Sequence, residues 1–411
     1  MAVCTAGDVP SIITRYLGFD CASANPVITV RNPADLANWT LPVLEITIII
    51  GAILALLHAI RRWRRDGDPT NLTIWVASLV YLFVIEPPLY FPEWFHAEEA
   101  MGFMFSHNVF TVNLMFDRLP LYIVAIYPAL SQLAYELVRS WGFFDGTTRA
   151  AVKGSVVVAV VFQAFYEIFD QLGPQLKWWA WNVDAPYYAD TIAQMQAQGI
   201  HPDKLGNPAA VPTLASVPWG SVWLFATVSF AVLVFLAVRL VYNPTVAGHR
   251  PRGLSWGWRT LVTGVLAVVS LPLLSIPTGI FGRDDNANVT AQHIVYVTEF
   301  CIVWILAGYA LWTQWQHLRR DPSTAVAAAR SARPFLVVFG PLFLLVHLGL
   351  WITALPAFFA AKDGITADDT PIGNLPYVVV CFVVATAVLA VALNRGRSRA
   401  AEPTLAGAAS R

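Results

Sequence analysis

Apolar residues gather into nine stretches, at about 41–60, 73–91, 119–138, 154–172, 218–242, 260–281, 291–315, 334–358 and 376–394. A helix needs about 20 such residues to cross the hydrocarbon core of a bilayer. The pattern therefore predicts an all-α integral membrane protein with nine transmembrane helices. Residues 1–40 are mixed-polar, residues 41–394 read as a single polytopic membrane domain, and 395–411 (Ala, Glu, Pro, Thr, Gly, Ser and Arg) read as a disordered tail. No internal repeat and no linker to a second soluble domain is apparent. The first apolar stretch is too long for a signal-peptide core and lacks a small-residue cleavage site.

Composition agrees with the pattern: 57% of the residues are hydrophobic, 13% are charged, and the mean hydropathy is +0.57. A soluble globule carries nearly twice that charge. Formal net charge is zero, so no global field draws nucleic acid. The basic residues set an orientation. Connections after the odd-numbered stretches hold 19 of the 26 Lys and Arg, including Arg61, Arg62, Arg64, Arg65, Arg319, Arg320, Arg330 and Arg333. Short loops of this kind stay cytoplasmic. The expected topology is amino terminus outside and carboxyl terminus inside, in a cell membrane, with a bacterial plasma membrane the expected setting.

Two connections on the outer side are long. The first, 92–118, holds Glu93, Trp94, His96, Glu98, Glu99, Phe103, Phe105, His107, Phe110 and Phe116. It is too charged for a span and too aromatic for a solvated loop, so an interfacial or re-entrant segment fits. Its His and Glu residues match no strong metal-ligand spacing. The second, 173–217, opens with Trp178, Trp179 and Trp181, which read as a headgroup-level aromatic belt. Asp184 is placed to cap a surface helix near 185–198, ended by Gly199. Both loops read as caps. Cys4 and Cys21 share the outer segment and are able to pair where thiols are oxidised, whereas Cys301 and Cys381 read as packing residues within spans. Glu86-Pro87-Pro88 is expected to break the outer end of the second helix, and Pro120, Pro128, Pro272 and Pro277 to perturb others.

An ionisable side chain in hydrocarbon costs about 3 kcal/mol on insertion scales, so each needs a reason. With the orientation above, Glu45, Glu86, Asp117, Arg118, Glu167, Asp170, His293 and Glu299 fall in the outer half of the membrane, and His347 near its middle. Hydration at a span end accounts for Glu45, Asp117 and Arg118. Glu136 lies near the opposite face, with Arg139 an ordinary partner at i+3. Glu167 and Asp170, three apart, are expected to share a helix face, with Gln163 one turn before. Glu86, Glu167, Asp170 and His347 are thus the candidate proton-handling residues. Trp94, Tyr166, Trp179, Trp181 and Glu299 are the candidate substrate contacts.

A carboxylic acid in a low-dielectric pocket can donate a proton to an alkene, carbonyl or hydroxyl while a neighbouring base takes one back. Aromatic faces stabilise cationic character at the reacting carbon. No nucleotide loop, nucleophile elbow, haem ligand pair or redox cysteine pair points elsewhere. The expectation is a cofactor-independent acid–base enzyme, without metal, acting on an apolar small molecule or lipid by hydration, dehydration or cyclisation. Its expected partners are that substrate and the membrane lipids, and no nucleic acid. A proton-coupled transporter or lipid-handling protein is the alternative; such carriers usually show repeat symmetry and a midplane site.

The succession Glu167-Ile168-Phe169-Asp170, Trp179-Ala180-Trp181, Pro186-Tyr187-Tyr188, Val211-Pro212 and Pro218-Trp219 resembles carotenoid hydratases of the bisanhydrobacterioruberin type. Glu86-Pro87, the aromatic loop, and Leu119-Pro120-Leu121 before Tyr127 are similar to avermectin spirocyclase-like membrane proteins. The resemblance spans about residues 80–235. The chain departs from both families in length and in the roughly 22 residues between Tyr188 and Val211. The resemblance implies that Glu86, Glu167 and Asp170 perform chemistry on a polyketide or isoprenoid.

Overall fold

The computed structural model describes residues 4–95, 103–183, 185–282, 286–321, 323 and 325–397. Among them, nine helices are long and apolar enough to cross a membrane. They are Thr40–Asp66, Thr70–Tyr90, Leu121–Ser140, Thr148–Asp170, Trp219–Val246, Gly253–Gly279, Val289–Arg320, Val326–Ala360 and Leu375–Arg395, here the first to ninth spans. Local chemistry sets several boundaries. Asp68 accepts from the Thr70 amide ahead of the second span, Thr147 from Ala150 at the fourth, and Asn374 from Tyr377 at the ninth. Gly67, at φ 63°, closes the first.

The third and fourth spans form the centre of the bundle, with 89% and 83% of their apolar windows buried, whereas the seventh is outermost at 11%. The third packs on the first, second, fourth and eighth; the fourth packs on the third, fifth, seventh and ninth. A polar group on either central span therefore faces protein and not lipid.

At one end the first span, third span and first basic connection meet in a buried ion network. Glu136 accepts from Arg139 at 2.6 Å and Asn71 at 2.7 Å, and pairs with His58 at 3.2 Å. Arg62 pairs with Asp68. Arg139 is thus only one of several partners of Glu136.

The opposite end carries a folded cap, which corrects several expectations. Among the described residues, the loop before the third span is no re-entrant helix. It forms a short helix (Pro92–Phe95) and the strands Phe105–His107, Val112–Leu114 and Leu119–Pro120. Ile28–Val30 from the amino-terminal segment pairs antiparallel with Val112–Leu114. Glu45 and Asp117 are buried and partnered, not hydrated. Glu45 accepts from the amides of Thr111 (2.9 Å) and Val112 (3.2 Å), and Asp117 from Arg31 at 2.6 Å. Arg118 donates to the Tyr90 carbonyl. The amino-terminal helix Val9–Leu17, tied by a Cys4–Cys21 disulfide, packs Ile12, Ile13 and Tyr16 against Tyr187, Tyr188 and Met195 of the second long loop. Tyr16 donates to the Asp369 carbonyl at 2.7 Å, joining the cap to the connection between the last two spans.

Glu86-Pro87-Pro88 does not break the second span. The helix runs on to Tyr90, and Phe91 still donates to the Pro87 carbonyl at 3.0 Å. Two prolines so near the end remove only the donors for Phe83 and Val84, and one further turn survives that loss. The surface helix of the second loop is Ala189–Ala197, followed by Gly199 at φ 77°. Asp184, His96, Glu98, Glu99 and the tail from 398 lie outside the described residues, and the side chain of Glu93 is likewise not described.

Candidate functional site

The cap meets the bundle through one two-stranded ladder. Phe105–His107 pairs antiparallel with Trp179–Trp181, with Phe105 opposite Trp181 and His107 opposite Trp179. Asn182 extends it, donating from its amide to the Met104 carbonyl at 2.9 Å and accepting from the Met104 amide at 2.8 Å. Alternation along a strand sends successive side chains to opposite faces. Ala180 therefore packs with the amino-terminal helix, while Phe105, His107, Trp179 and Trp181 turn towards the spans and line a cavity. Trp178, Trp179 and Trp181 are at most 4% exposed, so they are wall and support, not a lipid-facing belt. Trp178 donates to Thr40 Oγ1 at 2.9 Å. Trp179 stands over Gly173, where an added Cβ would lie 2.0 Å from its ring. Only glycine allows that approach.

The spans supply the rest of the cavity wall. Glu86 comes from the end of the second span, Ile123 and Tyr127 from the third, and Ser221 and Phe225 from the fifth. The fourth gives Tyr166, Phe169 and Asp170, spaced i, i+3, i+4 on one helix face. Phe225 lies in a π-helical turn, Leu224–Val228, in which Ser229 donates from its amide to the Leu224 carbonyl. Such turns recur at functional sites because one extra residue re-aims the side chains around it. Thr227 donates to the Val222 carbonyl at 2.7 Å, and the Ser229 hydroxyl joins its own amide on the Leu224 carbonyl.

Several polar groups here lack partners. Tyr127 donates its hydroxyl to Glu86 Oε1. Asp170, 3% exposed, has no hydrogen bond, and its Oδ2 is buried. His107 Nδ1 is 2.9 Å from the Tyr122 hydroxyl, while its Nε2 and the Trp181 indole N–H are buried without partners. Burial pushes the His107 imidazole down to about 3, so it is neutral at physiological pH. Buried polar atoms are nearly always hydrogen-bonded, and clustered exceptions mark sites that engage something else. The cavity measures about 30 Å³, room for a water molecule or two.

Five of the nine candidate residues share this cavity: Glu86, Tyr166, Asp170, Trp179 and Trp181. Four do not. Glu167 stands beside Asp170 in sequence, but the cavity takes the face of Tyr166 and Asp170, and Glu167 turns towards the ninth span. There its Oε2 accepts from Gln171 Nε2 at 3.0 Å, and Gln171 Oε1 accepts from the Asn374 amide at 2.8 Å. His347 lies behind the wall, stacked on Phe343 at 4.0 Å and bonded through Nδ1 to its carbonyl at 2.8 Å. Trp94 is 46% exposed and stacks on Phe91 at 4.6 Å. Glu299 is half-buried on the outermost span. His107 and Tyr127, not among the candidates, belong to the site. The large–small–large pattern of Phe105-Ser106-His107, matching Trp179-Ala180-Trp181, is the signal that could have placed His107.

No family model, no curated protein and no solved structure matches the chain.

Proposed function

We propose that this protein is a membrane-embedded acid–base enzyme that adds water to, removes water from, or cyclises an apolar polyketide or isoprenoid. One observation carries the reading: Asp170, unpartnered, and Glu86, hydrogen-bonded to Tyr127, border one aromatic-walled cavity. In the hydration direction, Asp170 delivers its proton to one alkene carbon. Positive charge develops on the other carbon, against the faces of Trp179, Phe169 and Tyr166. Water bonds to that carbon, and its surplus proton passes to Glu86 or to His107 Nε2. A space of about 30 Å³ suits the water and not the polyene. An apolar chain therefore reaches the acids only when the Phe105–Trp181 roof moves aside. The resemblance to carotenoid hydratases and spirocyclase-like proteins points to the same reaction class.

The basic connections favour an orientation with the cavity towards the outer surface of a cell membrane. Lipid and metabolite profiling of a strain whose only copy carries Asp170→Asn tests the reading. Accumulation of an un-hydrated or un-cyclised precursor supports it. An unchanged set of molecules with altered distribution across the membrane refutes it and favours transport.

A further inference from the structure

At the end of the bundle opposite the cavity, a second hollow of about 660 Å³ opens among the first, third, eighth and ninth spans. Its size falls within the ~300–1,000 Å³ range of small-molecule sites. Six arginines line it: Arg61, Arg62, Arg65, Arg139, Arg330 and Arg333. Among the described residues, three carboxylates lie in or behind it, and they are unevenly shared. Asp68 and Glu136 are committed to Arg62 and Arg139, both buried. These two guanidiniums are also fastened to one hydroxyl, Ser331 Oγ, from Arg62 at 2.7 Å and Arg139 at 2.8 Å. Asp66 also sits 3.8 Å from Arg62, so the carboxylates described here gather on the two buried arginines and not on Arg61, Arg65 or Arg333. The Arg333 Nε is buried and has no hydrogen-bond partner. Ala327 and Ala328, in the first turn of the eighth span, complete the wall at a helix amino terminus, the end that favours anions.

Basic residues at a membrane surface ordinarily spread into solvent. Here they converge on a concavity whose floor is braced by buried ion pairs, and the Arg333 Nε–H is removed from water with nothing to donate to. We propose that this hollow binds a phosphate-bearing anion, with the guanidinium groups of Arg61, Arg65 and Arg333 donating to its oxygens. Guanidinium forks match phosphate oxygens in geometry and charge. The phosphate belongs either to an acidic phospholipid headgroup or to a soluble phosphorylated molecule.

Thermal unfolding of the purified full chain in maltoside micelles, at fixed ionic strength, tests this. Inorganic phosphate and a short-chain phosphatidylglycerol are titrated separately, against chloride and phosphatidylcholine. The expected result is a saturable rise in midpoint with at least one of the two phosphates. Arg333→Gln, and the exposed Arg65→Gln, should weaken the apparent affinity roughly ten-fold or more, the loss of one charge-assisted hydrogen bond. Arg64→Gln, on the same helix but outside the hollow, should leave it unchanged. A response to inorganic phosphate identifies a soluble ligand, and a response to phosphatidylglycerol alone identifies a lipid. No saturable response to either, or equal weakening by Arg64→Gln, overturns the proposal.

Discussion

Replacing Asp170 separates a working carboxylate from a structural one. Asp170 ends the fourth span at the negative pole of the helix dipole, where an acid contributes no stability, and it makes no hydrogen bond. A buried polar group without a partner costs about 1–3 kcal/mol. Asp170→Asn exchanges one unpartnered group for another and should change stability by no more than about 1 kcal/mol. Asp170→Val removes the unpartnered carboxyl with a smaller gain in volume and should stabilise the fold by about 1–3 kcal/mol. Glu136 is the contrast, since Arg139, Asn71 and His58 all converge on it. Glu136→Gln leaves buried cations short of their counter-charge, a loss of about 3–5 kcal/mol. If Asp170 supplies the proton, both of its variants also lose about 10²–10⁴-fold in turnover. The assay is thermal unfolding in micelles, followed by the fluorescence of the 16 tryptophans, beside product formation in membranes. Asp170 variants that unfold as readily as Glu136→Gln would make Asp170 part of the scaffold and refute the reasoning.

Other outcomes follow from the same geometry. His107 is held at about 3 against an ordinary 6.5, so the unfolded chain binds a proton that the folded one refuses. Stability should fall as pH drops below about 6.5, by up to about 1.4 kcal/mol per unit, and unfolding scans of His107→Gln should lack that slope. Gly173→Ala should drive Trp179 out of the cavity wall, lowering turnover while circular dichroism shows the helices intact. For orientation, an impermeant thiol reagent applied to intact cells should label Ala34→Cys, in the exposed amino-terminal segment, and spare Ala247→Cys, in a basic connection; the reverse result would invert the topology.

The spans were legible because the requirement is local: about 20 apolar residues in a row make a crossing helix whatever surrounds them. The same rule singled out Glu86 and Asp170, as acids in such runs need a reason. Which acids meet was not legible. Gln163, Glu167 and Asp170 looked like one polar stripe. In the structure Gln163 donates to Thr227 at 2.6 Å and Glu167 turns to Gln171, leaving Asp170 alone at the cavity. Glu167 stands only about 60° around the helix from Asp170, and Gln163 lies about two turns along the axis on nearly the same face, so only the neighbouring spans decide which of them reaches the hollow. Glu45 and Asp117 show the limit differently, because their partners Thr111 and Arg31 are 66 and 86 positions away.

The sequence by itself determined the number of membrane-length helices, the concentration of arginine at one end and the supply of buried acids. The tertiary structure alone decided that an aromatic ladder from two distant loops closes over Glu86 and Asp170, that His107 joins them, and that six arginines converge at the other end. Hydrophobic length is a property of one segment, whereas a site is a meeting of several. Its members are fixed by packing between residues that the chain keeps far apart.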